Sequence, residues 1–219
     1  MIDLHTPLSF RTSYAFPLQS RLARREVLLG AALLLIPVVG WLLNMGHRIM
    51  MVHRMQQGLP AWPSWRDFPE LLKHGLITFV GMLYYYTPGL VLTYYAWSAE
   101  SLALGGVAAV LLALATVAIP GYMTHYCRAF DPAEIYNPAR ALGRTFQGGR
   151  AYWKAWCITI SALLLSFVGL LAFGIGFLVT SVWFWQVAGF SFARVFTQRV
   201  LNLTPPLPEA VEVSACLPT

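Results

Sequence analysis

The sequence predicts an all-α, polytopic integral membrane protein, a helical bundle of four full spans preceded by a proline-broken segment and joined by interfacial helices. Two observations predict this fold class. The 219 residues are 58% hydrophobic and only 11% charged, with a mean hydropathy of +0.60, which leaves little polar surface for a soluble domain. The chain also contains several apolar stretches of the length that crosses a hydrocarbon core of about 30 Å.

The first apolar stretch, residues 27–46, contains two helix breakers, Pro37 and Gly40. They leave a first arm of roughly 10 residues, which crosses only half the core. Arginines precede the stretch and basic residues follow it, so the positive-inside rule assigns both ends to the cytoplasm. Two topologies fit: a re-entrant or sharply kinked hairpin with both ends inside, and an ordinary kinked span with an exported N-terminus.

Three further stretches provide the four predicted spans. Residues 76–97 and 102–124 are one span each, whereas residues 155–193 hold no charged residue and would reach about 58 Å as one helix, nearly twice the core thickness. We therefore predict a hairpin that turns at "GLLAFGIGF" (169–177), where three glycines are the best local helix breakers. Basic residues concentrate in loops 47–74 and 125–154 and after the last span, which predicts a cytoplasmic C-terminus.

The predicted domain organisation is a single transmembrane domain over residues 26–200. A basic N-terminal extension, residues 1–25, precedes it, and a proline-rich tail, residues 201–219, follows it and is expected to be extended. Two short interfacial elements join the spans. "SWRDFPELLKHG" (64–75) is typical of an amphipathic helix, and "FDPAEIYNPARALGRTFQGG" (130–149) holds two capped helix starts, the second ended by Gly148-Gly149.

Arginines and tryptophans at the predicted membrane boundaries are expected to contact lipid headgroups or protein partners, the arginines by snorkelling and the tryptophans in the interfacial aromatic belt. These residues are Arg48, Arg54, Trp62, Trp65, Arg140, Arg144, Arg150 and Trp153. The formal net charge of +6 could suggest nucleic acid, but the positive charges flank apolar stretches. Anionic lipid is therefore the simpler partner, and no nucleic acid is expected.

Four histidines, His47, His53, His74 and His125, are the weak candidates for binding a cofactor. A single histidine can hold haem iron, and the same geometry would suit a chlorophyll-type pigment. His47 and His53 lie six residues apart and so on different helix faces, which argues against a shared metal site. Three cysteines without CxxC spacing indicate neither a disulfide framework nor zinc. We expect bound lipid, and no metal or other cofactor.

Two patterns within the spans have both a structural and a functional interpretation. Tyr84, Tyr85, Tyr86 and Thr87 precede Pro88, and their hydroxyls either bond backbone carbonyls or line a cavity. Gly105, Ala109 and Ala113 form a small-xxx-small ridge that allows close helix packing, to this chain or to another.

Functional groups are scarce in the apolar stretches, none of which holds Asp, Glu, Lys, Arg or His. Proton relays and ion sites place such residues there, and a hydrolase needs a nucleophile with its base. We therefore expect a non-enzymatic accessory or scaffold subunit that docks onto a larger membrane complex. The alternative is a channel with an uncharged pathway, or a carrier of lipid or small molecules, with a cavity lined by Tyr84–Thr87.

Three stretches of the chain together resemble a family of small polytopic membrane proteins known only as a domain of unknown function, DUF4013. They are "LLLIPVVGWLLNMGHRIMMVHRMQQGLPAWPSWRDFPELLKHGL", "RAFDPAEIYNPARALGRTFQGGRAYWKAW" and "FGIGFLVTSVWFWQVAGFSFARVF". The resemblance covers roughly residues 25–200 and departs from the family pattern at Trp185 and in "FSFARVF". It implies a helical membrane fold in a bacterial or archaeal cytoplasmic membrane, and it implies no activity.

Overall fold

The computed structural model describes residues 2–172 and 174–203, with side chains as far as Thr197. Within these ranges all regular structure is helical, as predicted. The α-helices are α1 (Phe10–Ala15), α2 (Arg21–Leu33), α3 (Val39–Gln56), α4 (Phe68–Ser98), α5 (Leu102–Ala129), α6 (Ala133–Tyr136), α7 (Pro138–Ser166) and α8 (Ile175–Leu203). Two 3₁₀ turns, Phe16–Leu18 and Phe167–Leu171, complete the set. The tail predicted to be extended lies outside the described residues from position 204 onward.

The four predicted membrane spans are confirmed. Four helices of the described chain are long and apolar enough to cross a membrane: Phe68–Ser98, Leu102–Ala129, Pro138–Leu171 and Ile175–Thr197. The predicted amphipathic helix at 64–75 is not a separate element, because α4 begins at Phe68 and continues without a break into its span. The chain is therefore a multi-pass membrane protein.

The proline-broken first segment is an antiparallel helical hairpin. The break falls at residues 34–38, where Val38 has a φ of 63°. Asn44 of α3 donates its amide to the Gly30 carbonyl of α2 at 3.0 Å, and Glu26 of α2 pairs with His47 of α3 at 3.1 Å. Earlier residues of α2 thus meet later residues of α3, so both basic ends of the segment lie at the same end of the hairpin. This geometry matches the hairpin topology and not a single kinked span.

The tip of this hairpin is apolar and exposed. Leu35, Ile36, Val38 and Val39 all retain much of their surface, with Leu35 70% exposed. A contiguous apolar surface of this kind is unfavourable in water. An exposed apolar tip with basic residues at the opposite end is what a hairpin inserted into lipid would require.

Cysteine accessibility tests this hairpin. Arg25 and Gln57 are exposed at its two ends, and Ala99 is exposed in the turn between α4 and α5. After the native cysteines are replaced, Arg25→Cys and Gln57→Cys should react with an impermeant thiol reagent from the same side of the membrane. Ala99→Cys is the control and should react from the opposite side. Labelling of Arg25→Cys and Gln57→Cys from opposite sides would establish a crossing segment instead.

The α3–α4 interface depends on two glycines. A side chain at Gly46 would collide with the Leu71 carbonyl, and one at Gly75 would collide with the Leu42 carbonyl. Trp41 packs edge-on against Phe79 at 5.3 Å further along the same interface. The backbones of α3 and α4 therefore touch directly, which only glycine permits.

The predicted hairpin at 169–177 is confirmed, with the turn at Gly174, whose φ is 78°. Its arms pack along their length, since the Thr180 hydroxyl donates to the Ser166 carbonyl at 2.7 Å and Tyr152 contacts Phe192 at 5.3 Å between ring centroids. The predicted helix start at Asn137 is also present, with its side chain accepting the Arg140 amide. The predicted end at Gly148-Gly149 is a sharp break at Gly149 within α7.

The N-terminal segment, for which the sequence indicated no fold, packs into the bundle. Phe16 is fully buried, Ser13 accepts a hydrogen bond from Ser191 at 3.0 Å, and Tyr14 shares one with Ser161 at 2.6 Å. Arg194 donates to the Thr6 carbonyl at 2.6 Å. These contacts tie residues 5–16 to α7 and α8 and cover one side of the α7–α8 hairpin.

Candidate binding site: two cavities at Arg48

Arg48 of α3 points into the interior of the bundle. Its Nη2 lies 3.7 Å from the Met123 sulfur of α5, and its guanidinium carbon lies 4.6 Å from the Trp185 ring centroid of α8. Gly189, one turn after Trp185, leaves room for the stem, because a methyl group there would come within 3.1 Å of the Arg48 Cγ. The expectation that Arg48 snorkels to the membrane surface is therefore wrong. Arg54, by contrast, donates to the Pro60 carbonyl at 2.7 Å in the following loop.

No carboxylate of the described residues forms an ion pair with Arg48. The ion pairs found there join Glu26 to His47, Glu70 to His74, and Glu134 to both Arg140 and Arg144. A guanidinium has five N–H donors, yet the partners of Arg48 are a thioether sulfur and the face of an indole ring. A cation placed among spanning helices without a counterion is costly, and such residues usually mark a ligand or ion site.

A cavity of about 240 Å³ lies on one side of Arg48, between α3, α4, α5, α7 and α8. Its wall is almost entirely apolar and aromatic. It includes Ile49, Met82, Ile119, Leu163, Phe184 and Phe192. We refer to this space as the inner cavity.

A second cavity, of about 320 Å³, lies between the α2–α3 hairpin and α8. Its wall combines apolar residues such as Trp41 and Phe177 with the polar residues Asn44, Ser181 and Gln186. We refer to it as the hairpin cavity. Arg48 and Trp185 line both cavities, so the cation–π pair forms the wall between them.

Three side chains at these cavities have a polar atom without a hydrogen-bond partner among the described residues: Trp156 and Thr159 at the inner cavity and Gln186 at the hairpin cavity. Thr159 lines the inner cavity, and its hydroxyl is unpaired, whereas Thr78 and Thr124 donate to carbonyls four residues back. Gln186 lines the hairpin cavity and is 3% exposed, yet its Oε1 accepts no hydrogen bond from any described residue. Buried polar groups normally have hydrogen-bond partners, so these three groups are available to bond a ligand.

His47 belongs to a buried cluster at the base of the α2–α3 hairpin. It is 2% exposed, pairs with Glu26, and stacks on Trp65 at 3.9 Å between ring centroids. Burial lowers the pKa of His47 even though its hydrogen bond to the Glu26 carboxylate opposes that shift. Glu26, which directly precedes the first apolar stretch, is only 6% exposed inside this hairpin.

The other histidines also bond within the chain. His53 and His125 donate from Nδ1 to the carbonyls of Cys127 and Gly121, at 2.6 and 2.9 Å. His74 shares a hydrogen bond with the Tyr126 hydroxyl at 2.8 Å. Among the described residues no group of three or more His, Cys, Asp or Glu side chains is placed to hold a metal ion.

The tyrosine cluster ahead of Pro88 does not line one cavity. The Tyr85 hydroxyl donates to the Ile135 carbonyl at 2.8 Å, Tyr86 shares a hydrogen bond with Thr116 at 2.9 Å, and Thr87 donates to Leu83 in its own helix. Tyr84 is 46% exposed. Of these four residues only Tyr86 lines the inner cavity. The structural interpretation holds for Tyr85 and Thr87, and the cavity interpretation was wrong for all but Tyr86.

The small-residue ridge on α5 faces away from the bundle. A side chain at Gly105 would meet nothing, and Ala109 and Ala113 are exposed. The close contact within this chain instead uses Gly89 of α4, which packs against Leu112. The ridge is therefore available to lipid or to another chain.

The residues predicted at the membrane boundary include one that is buried, Trp62, and several that are exposed or partly exposed. Trp62 was predicted at the membrane interface, but it is 8% exposed and stacks on Phe16, because the N-terminal segment covers it. Arg150 and Trp153 are exposed, as a surface contact would require. Arg140 and Arg144 are partly exposed and both pair with Glu134, at 3.3 and 3.2 Å.

The inward position of Arg48 was missed because the residue directly follows an apolar stretch, which is typical of an interfacial arginine. One signal was present: Arg48 and Arg54 are six residues apart and so lie on different helix faces. Comparison with known proteins adds no assignment, since no protein-family model, curated protein or solved structure matches the chain.

Proposed function

We propose that this multi-pass membrane protein binds a lipid or another apolar small molecule of the bilayer in the cavities at Arg48, as a carrier or lipid-binding protein. The observation that carries the proposal is the pair of cavities, about 240 and 320 Å³, among the spanning helices. Small-molecule sites are concave and mostly apolar with a few placed polar groups, and range from about 300 to 1,000 Å³. The two cavities match that description in shape and lining; the hairpin cavity lies at the lower end of the volume range and the inner cavity just below it.

Access from the bilayer supports this proposal. Ile160 and Leu163 line the inner cavity and are also 49% and 37% exposed on the outer face of α7. Trp185, in the wall between the cavities, is 37% exposed. The cavities therefore border the apolar surface that contacts acyl chains, and a membrane molecule can enter without crossing water.

We further propose a location in the cytoplasmic membrane of a bacterium or archaeon, with the C-terminus and both ends of the α2–α3 hairpin in the cytoplasm. The basic loops 47–74 and 125–154 support this orientation.

Filling the inner cavity tests the proposal. Ala188 lines that cavity and is 6% exposed, so Ala188→Phe would occupy part of the space. Native mass spectrometry of the protein, released from the mildest workable detergent, should show wild type with one retained apolar molecule, and Ala188→Phe with a much smaller retained fraction. Ala109→Phe, on the outer face of α5, is the matched control and should retain it. Equal retention by the two variants, or an empty wild-type protein, would contradict the proposal.

An accessory or scaffold subunit is the second candidate, and the outward ridge at Gly105, Ala109 and Ala113 favours it. Aromatic residues nearby are also exposed, with Trp97 at 85%. The same native preparation distinguishes the two: a second protein in fixed stoichiometry that is lost from Ala109→Phe supports docking through the ridge. If the protein is purified without any other protein in fixed stoichiometry, the carrier proposal is favoured over the scaffold.

A further inference from the structure

The charge inside the cavities specifies the head group of the ligand. Arg48 is the one charged residue in the two walls apart from His47, which is already paired with Glu26. Neither wall contains Asp or Glu. A neutral ligand would leave the guanidinium without a counterion, and a cationic ligand would add a second positive charge beside it.

We propose that the cavities bind a single-chain amphiphile with an anionic head group, a carboxylate or a phosphate monoester, whose charge is neutralised by Arg48. This inference rests on the proposed function and deepens it, because it names the class of molecule bound.

The position of Arg48 suits this role. The Trp185 ring, at 4.6 Å, and the Met123 sulfur, at 3.7 Å, hold the guanidinium between the two cavities without satisfying its N–H donors. Carboxylate and phosphate oxygens match a guanidinium with paired, charge-assisted hydrogen bonds. The anionic head group would therefore provide the counterion that no described carboxylate provides for Arg48.

The polar groups also orient the ligand. Gln186 is 3% exposed and lines the hairpin cavity, and its Oε1 has no hydrogen-bond partner among the described residues. Asn44 and Ser181 line the same space. The wall of the inner cavity is apolar apart from Arg48 and a few hydroxyl and indole groups. The head group therefore lies at Arg48, where the two cavities adjoin, and the acyl chain lies along the apolar wall of the inner cavity.

The size of the cavities indicates a single chain. Volumes of about 240 and 320 Å³ lie at or below the lower end of the range for small-molecule sites, about 300 to 1,000 Å³. A lipid with two acyl chains and a large head group would exceed the volume of these cavities. Fatty acids and lysophosphatidic acid share the required chemistry, so they are separate arms of the test.

The experiment compares three probes with the same type of chain, each added to purified protein in detergent at pH 8: palmitate, palmitoyl lysophosphatidic acid, and uncharged hexadecanol. Displacement of a bound fluorescent fatty acid reports the affinity of each. Wild type should bind at least one of the two anions about tenfold or more tighter than hexadecanol, because charge-assisted hydrogen bonds distinguish them. The preferred anion identifies the head group.

Variants of Arg48 test whether this residue causes the preference for an anionic head group. Arg48→Gln should lose the roughly tenfold preference while still binding hexadecanol, which also shows that it is folded. Arg48→Lys keeps the charge and should retain part of the preference. Arg54→Gln removes an arginine from the other face of α3 and should behave as wild type.

Three results would overturn the inference, and they differ in which part of the proposal remains valid. Equal binding of hexadecanol and both anions by wild type refutes the anionic head group but leaves an apolar binding site. Failure of all three probes to bind refutes the proposed function as well. An anion preference that survives in Arg48→Gln would remove Arg48 from the site.

Discussion

Replacing Gly46 with leucine should destabilise the bundle by about 3 kcal/mol or more, because overpacking against a fixed backbone exceeds the usual cost of an enlarged core side chain. A side chain at Gly46 collides with the Leu71 carbonyl, and neither helix backbone can yield without separating α3 from α4. The expected readout is a lower midpoint of thermal unfolding in detergent, with loss of monodispersity at lower temperature. Gly75→Leu should produce the same loss, since it meets the Leu42 carbonyl across the same interface.

Gly106→Leu is the matched control for this interface. Gly106 lies on a spanning helix, and a side chain there meets nothing within 4 Å. It should leave the unfolding midpoint unchanged or raise it slightly, because leucine favours helix more than glycine does. If Gly46→Leu and Gly106→Leu are equally stable, α3 and α4 do not pack as described.

Replacing Glu26 with alanine should cost about 1 to 3 kcal/mol of unfolding free energy, the usual result of leaving a buried hydrogen-bonding group without its partner. The side chains of Glu26 and His47 are 8% and 2% exposed, and Trp65 stacks on the imidazole. Alanine would leave a cavity in the hairpin and a buried imidazole without its partner. Unfolding by urea or heat, followed by tryptophan fluorescence, should report a large shift.

Glu70→Ala provides the matched control. Glu70 also pairs with a buried histidine, His74, but the distance is 3.8 Å and the carboxylate side chain is 57% exposed. Exposed pairs contribute about 0 to 1 kcal/mol, so this variant should be close to wild type. A double variant, Glu26→Leu with His47→Leu, should recover much of the loss, because apolar replacement of a buried pair is often neutral or stabilising. Equal effects of Glu26→Ala and Glu70→Ala would mean that the hairpin does not depend on the buried pair.

The helical content, the four spans and the two breaks at Pro37 and 169–177 could be predicted from the sequence, because each depends on local properties. Span length follows from the thickness of the bilayer, and glycine and proline break helices wherever they occur. The capping of the helix at Asn137 is equally local, since the cap and its amide lie three residues apart.

The site could not be predicted in the same way, because its residues meet across the fold. Arg48 contacts Met123 and Trp185, which are 75 and 137 positions away in the sequence, so its inward direction depends on how α3 packs. The Tyr85 hydroxyl donates to the Ile135 carbonyl of the short helix α6, and no local pattern in the sequence predicted that α6 lies beside α4. Trp62 is buried because Phe16 covers it, and the N-terminal segment carried no apolar stretch to signal that contact.

The most direct test of the central claim, that the space around Arg48 holds a membrane molecule, is photo-crosslinking in native membranes with a fatty acid that carries a diazirine near its chain end. The account predicts adducts on residues of the inner cavity, such as Ile119, Phe184 and Phe192, and their loss in Ala188→Phe. Adducts confined to the outward faces, at residues such as Leu102, Leu164 and Val168, would show that lipid only surrounds the protein and would contradict the account.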